Sequence, residues 1–515
     1  MKRIGKIYLV GAGPGRTELL TLRGAQCLAE ADAVVLDALV NRRTLEHCRP
    51  GVRVINAGKR GHGRVLMRQR AINKLLAGLA RQGKNVVRLK GGDPTFFGRG
   101  GEEAEALSAL GLPFEIVPGV SSVTAVPAYA GIPLTHRGHA SVVTVVTGHE
   151  GRENPYLGEN VREARRRVGP GVDWARLSPD GTLVILMGLL QLPEIVRKLR
   201  AAGWPLNKPA AVTQSGTWPQ QKTVEGNLGN IVSRVRREKL GAPAVILVGS
   251  VASLRRRLSW WERLPLFGKT ILVTRAQTQS SSLVRALEAQ GANVLEGPTI
   301  RIQELPPSPR GRRLLRKLAR YDGVLFTSAN AARAFVGHWE RLKKTWPRST
   351  AVYAVGIKTG QALVTGGLPV HAMAKDFESE ALAALLIDVK EKIFLFPRAE
   401  EGRDLLVESL TRRGAGVDLW PLYRTTPVAL GADVRAALLA GRVHAATFTS
   451  SSTVHAFMRE FTAAQRRKIF RATRAASIGP ITSKTLKSYG IVRVLRSLRA
   501  TTEDLAEVLR KRIGR

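Results

Sequence analysis

The chain has 515 residues, a formal net charge of +41 and two cysteines, Cys27 and Cys48. At ~150 residues per domain the length allows about three to four domain-sized units, and a hydrophobic content of 44% excludes a mainly disordered chain. The two cysteines lack C-x-x-C spacing, which excludes a disulfide framework or a cysteine zinc site, and no apolar stretch reaches the ~18 residues of a membrane span.

The opening reads strand, glycine turn, helix: Ile7 to Val10, then Gly11-Ala12-Gly13-Pro14-Gly15, then helical spacing from Glu18 to Leu28. A second strand, Ala33 to Leu36, ends at Asp37. A helix is predicted over Gln69 to Arg81, and strand Val86 to Leu89 runs into Lys90-Gly91-Gly92-Asp93-Pro94. Strands alternating with helices predict an α/β domain with a largely parallel sheet. The pattern restarts near Pro118-Gly119, with strands at Ser141 to Thr147, Thr182 to Met187, Ala210 to Thr213 and Val245 to Val248. Residues 1–255 thus read as two α/β lobes, about 1–117 and 118–255, sharing a cleft. Residues 150–181, rich in Arg, Gly, Pro and Asn, read as a mobile surface insertion.

Residues 256–267, with Trp260 and Trp261, read as a linker whose tryptophans pack on a neighbouring surface. Residues 268–515 then start over. Strand Thr270 to Thr274 is followed by Arg275 and a helix from Ser282 to Gln290. Val324 to Phe326 leads into Thr327-Ser328-Ala329-Asn330, and Ala446 to Phe448 into Thr449-Ser450-Ser451-Ser452. Two further strand-to-helix turns begin at Val355-Gly356 and Ile478-Gly479. This half reads as two similar α/β lobes facing each other.

A glycine turn after a strand brings backbone N–H groups close to a ligand. Gly11, Gly13 and Gly15 have G-x-G-x-G spacing, not the dinucleotide G-x-G-x-x-G, and a plain tight turn explains them equally well. Gly91-Gly92-Asp93 lets a ligand lie against backbone while the carboxylate accepts hydrogen bonds from ribose hydroxyls; a loop ending in a helix cap is the plainer alternative.

Taken together, Val10 to Gly15, Asp37 with Leu39-Val40, Gly58-Lys59-Arg60, Val87 to Pro94 with Phe97 to Glu103, Val117 to Ser122, Ala128 to Arg137 and Met187-Gly188 resemble the uroporphyrinogen-III C-methyltransferases of the tetrapyrrole methylase superfamily. The match runs in order from residue 5 to about 255. It implies S-adenosylmethionine as cofactor and methylation of uroporphyrinogen III at carbons 2 and 7, through precorrin-1 to precorrin-2. By the resemblance Asp37 is the proton acceptor and Lys59 the proton donor; a helix-capping carboxylate and a solvated loop lysine are the plainer alternatives. Cofactor contacts carry over to Pro14, Gly91, Gly92, Asp93, Phe96, Ser121, Ser122, Met187 and Gly216, although Met187 alone would read as core. Arg16, Ala38 and Thr95 depart from the family pattern, and Arg16 and Ala38 bear on how substrate carboxylates are held. His136 and His139 form H-x-x-H without a third ligand at suitable spacing, so no metal is expected.

Residues 268–515 carry no nucleophile–base pair or glycine-rich phosphate loop, and each hydroxyl-rich turn could simply cap a helix. Several such turns on one cleft would form an anion site from N–H groups and helix dipoles. The order of Val273-Thr274-Arg275, Phe326 to Asn330, Ala354 to Gly356, Pro397-Arg398, Pro421 to Thr425, Phe448 to Ser451 and Ser477 to Pro480 resembles uroporphyrinogen-III synthase. That resemblance implies cyclisation of hydroxymethylbilane with inversion of the last ring and loss of water, in two lobes joined by a two-stranded connector. Tyr423 is the candidate acid assisting departure of water, and Ser328, Ser450 and Thr482 are candidate substrate contacts; a tyrosine packed at a lobe edge is the alternative for Tyr423.

The expected fold is α/β throughout: a two-lobed tetrapyrrole methylase domain, then a two-lobed synthase domain. One half would make the substrate of the other, and both substrates are polycarboxylates suited to a basic cleft. Lys and Arg are spread over the whole chain, which fits lineage composition plus an acidic substrate better than a nucleic-acid function. No specific nucleic-acid or membrane partner is expected, and the resemblance implies a homodimer through the methyltransferase. The start of the sequence shows no apolar signal region and no dehydrogenase or ferrochelatase module, so a cytoplasmic enzyme that does not make sirohaem alone is expected. The competing readings are an RNA methyltransferase of the same superfamily, favoured by the charge, and a basic tetrapyrrole-binding scaffold.

Overall fold

Short apolar runs that end in glycine or hydroxyl turns become strands, and the amphipathic segments between them become helices. The computed structural model describes residues 3–58, 67–148, 171–306, 308–374, 379–402 and 404–514. Its chain divides into two units, Met1–Gly268 and Lys269–Arg515.

In the first unit, β1 (Ile7–Gly11), β2 (Ala33–Leu36), β3 (Arg53–Asn56), β4 (Val86–Lys90) and β5 (Phe114–Val117) form a sheet in the order β3-β2-β4-β1-β5. Every pairing is parallel. Helices Leu22–Glu30, Gln69–Arg81 and Gly100–Ala109 follow strands in this lobe. Leu76, Leu79 and Leu107 pack against one face of the sheet, and Cys27 and Leu28 against the other. The three inner strands are therefore buried from end to end, as parallel strands between helix layers are. Parallel crossovers bring the ends of β1, β2, β4 and β5 to one edge, where doubly wound sheets bind ligands.

The second lobe holds β6 (Val143–Thr147), β7 (Thr182–Leu186), β8 (Pro209–Gln214), β9 (Lys222–Asn227) and β10 (Ala244–Val248), ordered β6-β7-β10-β8-β9. Here β6 and β7 pair in parallel, and the other pairings are antiparallel. The largely parallel pattern expected of this half holds in the first lobe and gives way to a mixed sheet in the second.

Three boundaries differ from the sequence reading. The helix expected from Glu18 is a short turn, Thr17–Leu19, followed by Leu22–Glu30, because the Thr21 hydroxyl caps that helix by accepting from Gly24 N at 3.1 Å. In the segment read as an insertion, 149–170 lie outside the described residues, whereas Trp174 is buried against Leu199 and Trp204. The segment read as a linker is folded onto the first unit: Trp261 is 1% exposed and Leu266 fully buried. Arg255 donates to Ala130 O at 2.6 Å and pairs with Glu262, also at 2.6 Å.

The second unit holds β11 (Thr270–Val273), β12 (Asn293–Glu296), β13 (Ile300–Glu304), β14 (Gly323–Phe326), β15 (Ala351–Val355), β16 (Ala372–Ala374), β17 (Ile393–Ala399), β18 (Gly416–Pro427), β19 (Ala445–Phe448), β20 (Arg474–Ser477) and β21 (Val494–Arg496). The first sheet, β12-β11-β19-β20-β21, is wholly parallel. The second runs β13-β18-β17-β14-β15-β16 and is parallel except for the β13·β18 pair. The chain leaves the first lobe before β13 and returns after β18. Ile300 lies opposite Pro427, and Val428 N donates to Thr299 O at 2.8 Å, so the two crossings run side by side. Thr299 is fully buried and donates its hydroxyl to Thr453 O at 3.2 Å, which anchors the crossing to the first lobe.

Tyr321 anchors the start of β14. Its ring is buried and its hydroxyl donates to Asp418 Oδ2 at 2.5 Å, where Arg320 also donates at 2.6 Å. Burial, followed by this bond to a carboxylate, pushes the phenol up to about 12, and the same bond holds Asp418 below its usual range. A raised phenol contributes stability that is present below its unfolded value near 10 and is lost as pH rises toward 12. Tyr321→Phe should therefore cost the second unit about 1–2 kcal/mol at neutral pH. The gap to wild type should narrow between pH 10 and about 12, as urea unfolding of the full chain will show.

Candidate active site

The turns after β1, β4 and β5 meet backbone to backbone in the first unit. Gly13 N donates to Gly92 O at 3.2 Å, and Gly92 N returns a bond to Gly13 O at 2.7 Å. A Cβ on Gly119 would lie 2.3 Å from Gly92 O, and one on Gly11 would lie 2.5 Å from the Gly119 Cα, so neither position admits a side chain. Asp93 fixes this contact. Its Oδ2 accepts from Gly119 N at 3.0 Å, and its Oδ1 accepts from Thr95 N at 2.8 Å and Thr95 Oγ1 at 2.6 Å. Both carboxylate oxygens, expected to face ribose hydroxyls, are thus engaged in the loops, with lone pairs left for further donors. Thr95, a departure from the family pattern, supplies two of these bonds.

The second lobe closes the same region. Ser121 caps helix Ser122–Ala130 by accepting from Val123 N at 3.3 Å. A Cβ on Gly216 would strike Val126 of that helix at 2.4 Å, and a Cβ on Gly15 would strike the Trp218 indole at 2.2 Å. Arg16 N donates to Thr217 Oγ1 at 3.4 Å. Of the eight non-glycine residues with positive φ among the described residues, Phe97 and Arg99 follow the Gly91-Gly92-Asp93 turn, Ser215 and Thr217 flank Gly216, and Met187 follows β7. Strained backbone of this kind gathers where a fold is organised around a ligand. Met187 is a core residue by composition, but its φ of 55° ends β7 and its side chain is 52% exposed. Pro14 is half-buried, and Phe96 is exposed with its ring edge-on to Phe97.

Asp37 sits at the end of β2, where its N–H donates to Leu89 O at 3.0 Å and its Oδ1 accepts from Ala38 N at 2.9 Å. It is tied to the glycine loop because a Cβ on Gly91 would touch Leu39 at 3.3 Å. Beneath it lies a charged cluster that the sequence reading did not single out. Arg88 is buried, with Nη2 3.5 Å from Asp37 Oδ2 and Nε 3.2 Å from Glu103 Oε1. Lys90 Nζ reaches the same Glu103 oxygen at 3.1 Å, and Gln69 Nε2 reaches it at 2.9 Å. Burial and then Arg88 push the Lys90 ammonium down, against the pull of Glu103 and Asp37. The available signal was a pair of cations, Arg88 and Lys90, inside a strand buried at every position. Lys59 lies outside the described residues. Arg16, the other departure at this turn, pairs with Glu18 at 2.7 Å and stacks its guanidinium 4.8 Å from the Trp261 ring.

In the second unit, Ser328 and Ser450 end β14 and β19 and cap the helices that follow, by accepting from Ala331 N at 3.2 Å and Thr453 N at 3.3 Å. The structure brings Ser328 and Tyr423 together, with hydroxyl oxygens 3.1 Å apart. Tyr423 is buried on β18 with its hydroxyl shared with Ser328, which is more than edge packing. Thr482 is 4% exposed in the first turn of helix Pro480–Ser488. No group of three or more His, Cys, Asp or Glu able to hold a metal occurs among the described residues. His136 and His139 place their rings 5.0 Å apart without a third ligand. No helix among the described residues is long and apolar enough to cross a membrane.

A backbone cradle in which Gly11 and Gly119 admit no Cβ fits a cofactor held by main-chain groups, and Gly91 and Gly92 are half-buried rather than sealed. The first unit thus has the features of a two-lobed α/β group-transfer protein. Comparisons with known proteins narrow this class. The family described as Tetrapyrrole (Corrin/Porphyrin) Methylases matches residues 6–232, and Uroporphyrinogen-III synthase HemD matches residues 281–507. The Porphyrin biosynthesis protein HemD of Ruminiclostridium josui is 33% identical over 98% of this chain and 97% of its own length. The Uroporphyrinogen-III C-methyltransferase of Bacillus subtilis (strain 168) is 38% identical over 64% of this chain and 65% of its own. Among solved structures, the uroporphyrin-III-C-methyltransferase of Thermus thermophilus is similar at 36% identity and a TM-score of 0.40, covering 49% of this chain and 98% of that one. The chain belongs to the porphyrin-biosynthesis proteins that join a tetrapyrrole methylase to a uroporphyrinogen-III synthase in one polypeptide.

Gly119→Ala should weaken S-adenosylhomocysteine binding at least ~tenfold in calorimetry, because the added methyl must part the Gly11, Gly92 and Gly119 backbones. Gly101→Ala, where nothing lies within 4 Å of the new Cβ, should leave binding unchanged.

Proposed function

We propose that the second unit cyclises hydroxymethylbilane to uroporphyrinogen III with inversion of the last ring, and that the first unit methylates this product at carbons 2 and 7 to give precorrin-2. The observation that carries the methyltransferase reading is the pinned glycine cradle with Asp37 beside it. Pro14, Gly91, Gly92, Asp93, Phe96, Ser121, Ser122, Met187 and Gly216 are the residues that would hold S-adenosylmethionine. When bound, that cofactor supplies an electrophilic methyl group for an electron-rich pyrrole carbon.

The chain's own groups position the acceptor and handle the proton. Asp37 has a side chain 38% exposed, so its carboxylate can reach a macrocycle and accept the proton that carbon methylation releases. Arg88 holds that carboxylate from below, and Glu103 holds Arg88. Lys59 is the proton donor in this reading. In the second unit the pyrrole itself assists loss of water, so the enzyme has to fold a flexible polyanion and steer ring closure. The helix starts at Ser328 and Ser450 offer N–H groups and hydroxyls to carboxylates. Tyr423, whose hydroxyl bonds to that of Ser328, is in this reading the acid that protonates the departing hydroxyl. The homodimer, the cytoplasmic location and the lack of a specific nucleic-acid partner belong to the same reading.

Asp37→Asn should lower methyl transfer from labelled S-adenosylmethionine to uroporphyrinogen III by about 10²–10⁴-fold. Its affinity for S-adenosylhomocysteine should stay within about twofold of wild type, since Asp37 makes no bond to the glycine cradle. Transfer of label to RNA in preference to uroporphyrinogen III would overturn the reading.

A further inference from the structure

The turn Ser215-Gly216-Thr217 of the first unit is held in a strained form. Ser215 has a φ of 47° and Thr217 a φ of 70°, left-handed values that cost free energy in residues other than glycine. Such a turn persists only where its surroundings fix it, and two sets of contacts do so here. On one side lies the glycine turn after β1. Arg16 N donates to Thr217 Oγ1 at 3.4 Å, and the Trp218 indole fills the space that a Cβ on Gly15 would need. On the other side lies the segment after β10, which the sequence reads as a linker. Trp261 Nε1 of that segment donates to Trp218 O at 3.3 Å.

A chain of side-chain bonds runs from this segment to the turn. Thr217 is fully buried, and its N–H donates to Gln221 Oε1 at 2.8 Å. Gln221 is 3% exposed, and its Nε2 donates to Tyr129 O at 3.1 Å and to Glu262 Oε1 at 2.9 Å. The same Glu262 oxygen accepts from Thr223 Oγ1 at 2.6 Å, and Oε2 accepts from Arg255 Nη2 at 2.6 Å. The carboxylate therefore decides which way the Gln221 amide points. A reversed amide would set its NH2 against the Thr217 N–H and its oxygen against Glu262 and the Tyr129 carbonyl. We propose that Glu262 is a positioning residue of the cofactor site: by orienting Gln221 it holds the Thr217 N–H, and so fixes the turn that presents Gly216. The segment after β10 is then a working part of the methyltransferase unit. This rests on the reading of Gly216 as a cofactor contact, and Glu262 acts through Gln221 rather than on the cofactor.

The test measures S-adenosylhomocysteine binding to the full chain by calorimetry, with the unfolding temperature of each variant alongside. Glu262→Ala and Gln221→Met should each weaken binding about tenfold, and the double variant no further than either alone, because both break one route to the turn. Leu266→Ala is the control for stability: this fully buried residue of the same segment should lower the unfolding temperature and leave the affinity within about twofold. Unchanged affinity in Glu262→Ala overturns the proposal. So do losses that multiply in the double variant, and so does a loss in Leu266→Ala equal to that in Glu262→Ala. If Glu262→Ala does not fold, Gln221→Met decides, since unchanged affinity there breaks the route. Gly216→Ala, whose Cβ strikes Val126, separates the two claims. Wild-type affinity in Gly216→Ala refutes the reading of this turn as a cofactor contact. A loss in Gly216→Ala without one in Glu262→Ala refutes the positioning role alone.

Discussion

One carboxylate holds the site of the first unit together. Asp93 bonds to Gly119 N and to Thr95, and so locks the turn after β4 against the turn after β5, while Gly13 and Gly92 exchange bonds across the turn after β1. The closeness of these backbones is possible because Gly11 and Gly119 carry no Cβ, while Gly92 supplies a positive φ of 68°. With the loops locked, the rest follows in sequence: Leu39 packs on Gly91, which places Asp37 at the rim, and the Trp218 turn of the second lobe packs on Gly15. Ser215 and Thr217, both with positive φ, flank Gly216 in the second lobe, and Thr217 accepts from Arg16 N.

The large positive charge is used in different ways in the two units. In the first, Arg88 and Lys90 are buried and share Glu103, a costly arrangement that stays folded because each ion has a partner. Arg88 of this cluster also lies 3.5 Å from the Asp37 carboxylate. In the second, the Lys358 ammonium donates to Thr502 at 3.3 Å and so joins the two lobes. A net charge of +41 therefore reflects more than a basic surface, because Arg88, Lys90, Arg255 and Arg398 are buried.

Much of the frame was legible in the residues. Apolar runs such as Ile7 to Val10 and Val86 to Leu89, each ended by glycines, read directly as parallel strands with ligand-binding turns. Edge strands were harder to read, since β3 is mostly exposed and lacks an apolar run. Met187, a cofactor contact only through the resemblance, would by itself read as core because a methionine after an apolar strand carries no sign of a left-handed backbone. Residues 256–267 read as a linker because two tryptophans and a run of arginines do not reveal that Arg255 reaches Ala130 and that Trp261 receives Arg16. The pairing of Ser328 with Tyr423 joins residues 95 apart in sequence, and no local pattern announces it. The burial of Thr482 was not legible either, because a hydroxyl in a helix's first turn can face the core or the solvent.

The most direct measurement gives the purified full chain hydroxymethylbilane and S-adenosylmethionine together and identifies the product by absorbance and mass. A doubly methylated derivative of uroporphyrinogen III is expected, formed without any added enzyme. Uroporphyrinogen I alone, the product of spontaneous closure, would contradict the synthase half, and unmethylated uroporphyrinogen III would contradict the methyltransferase half.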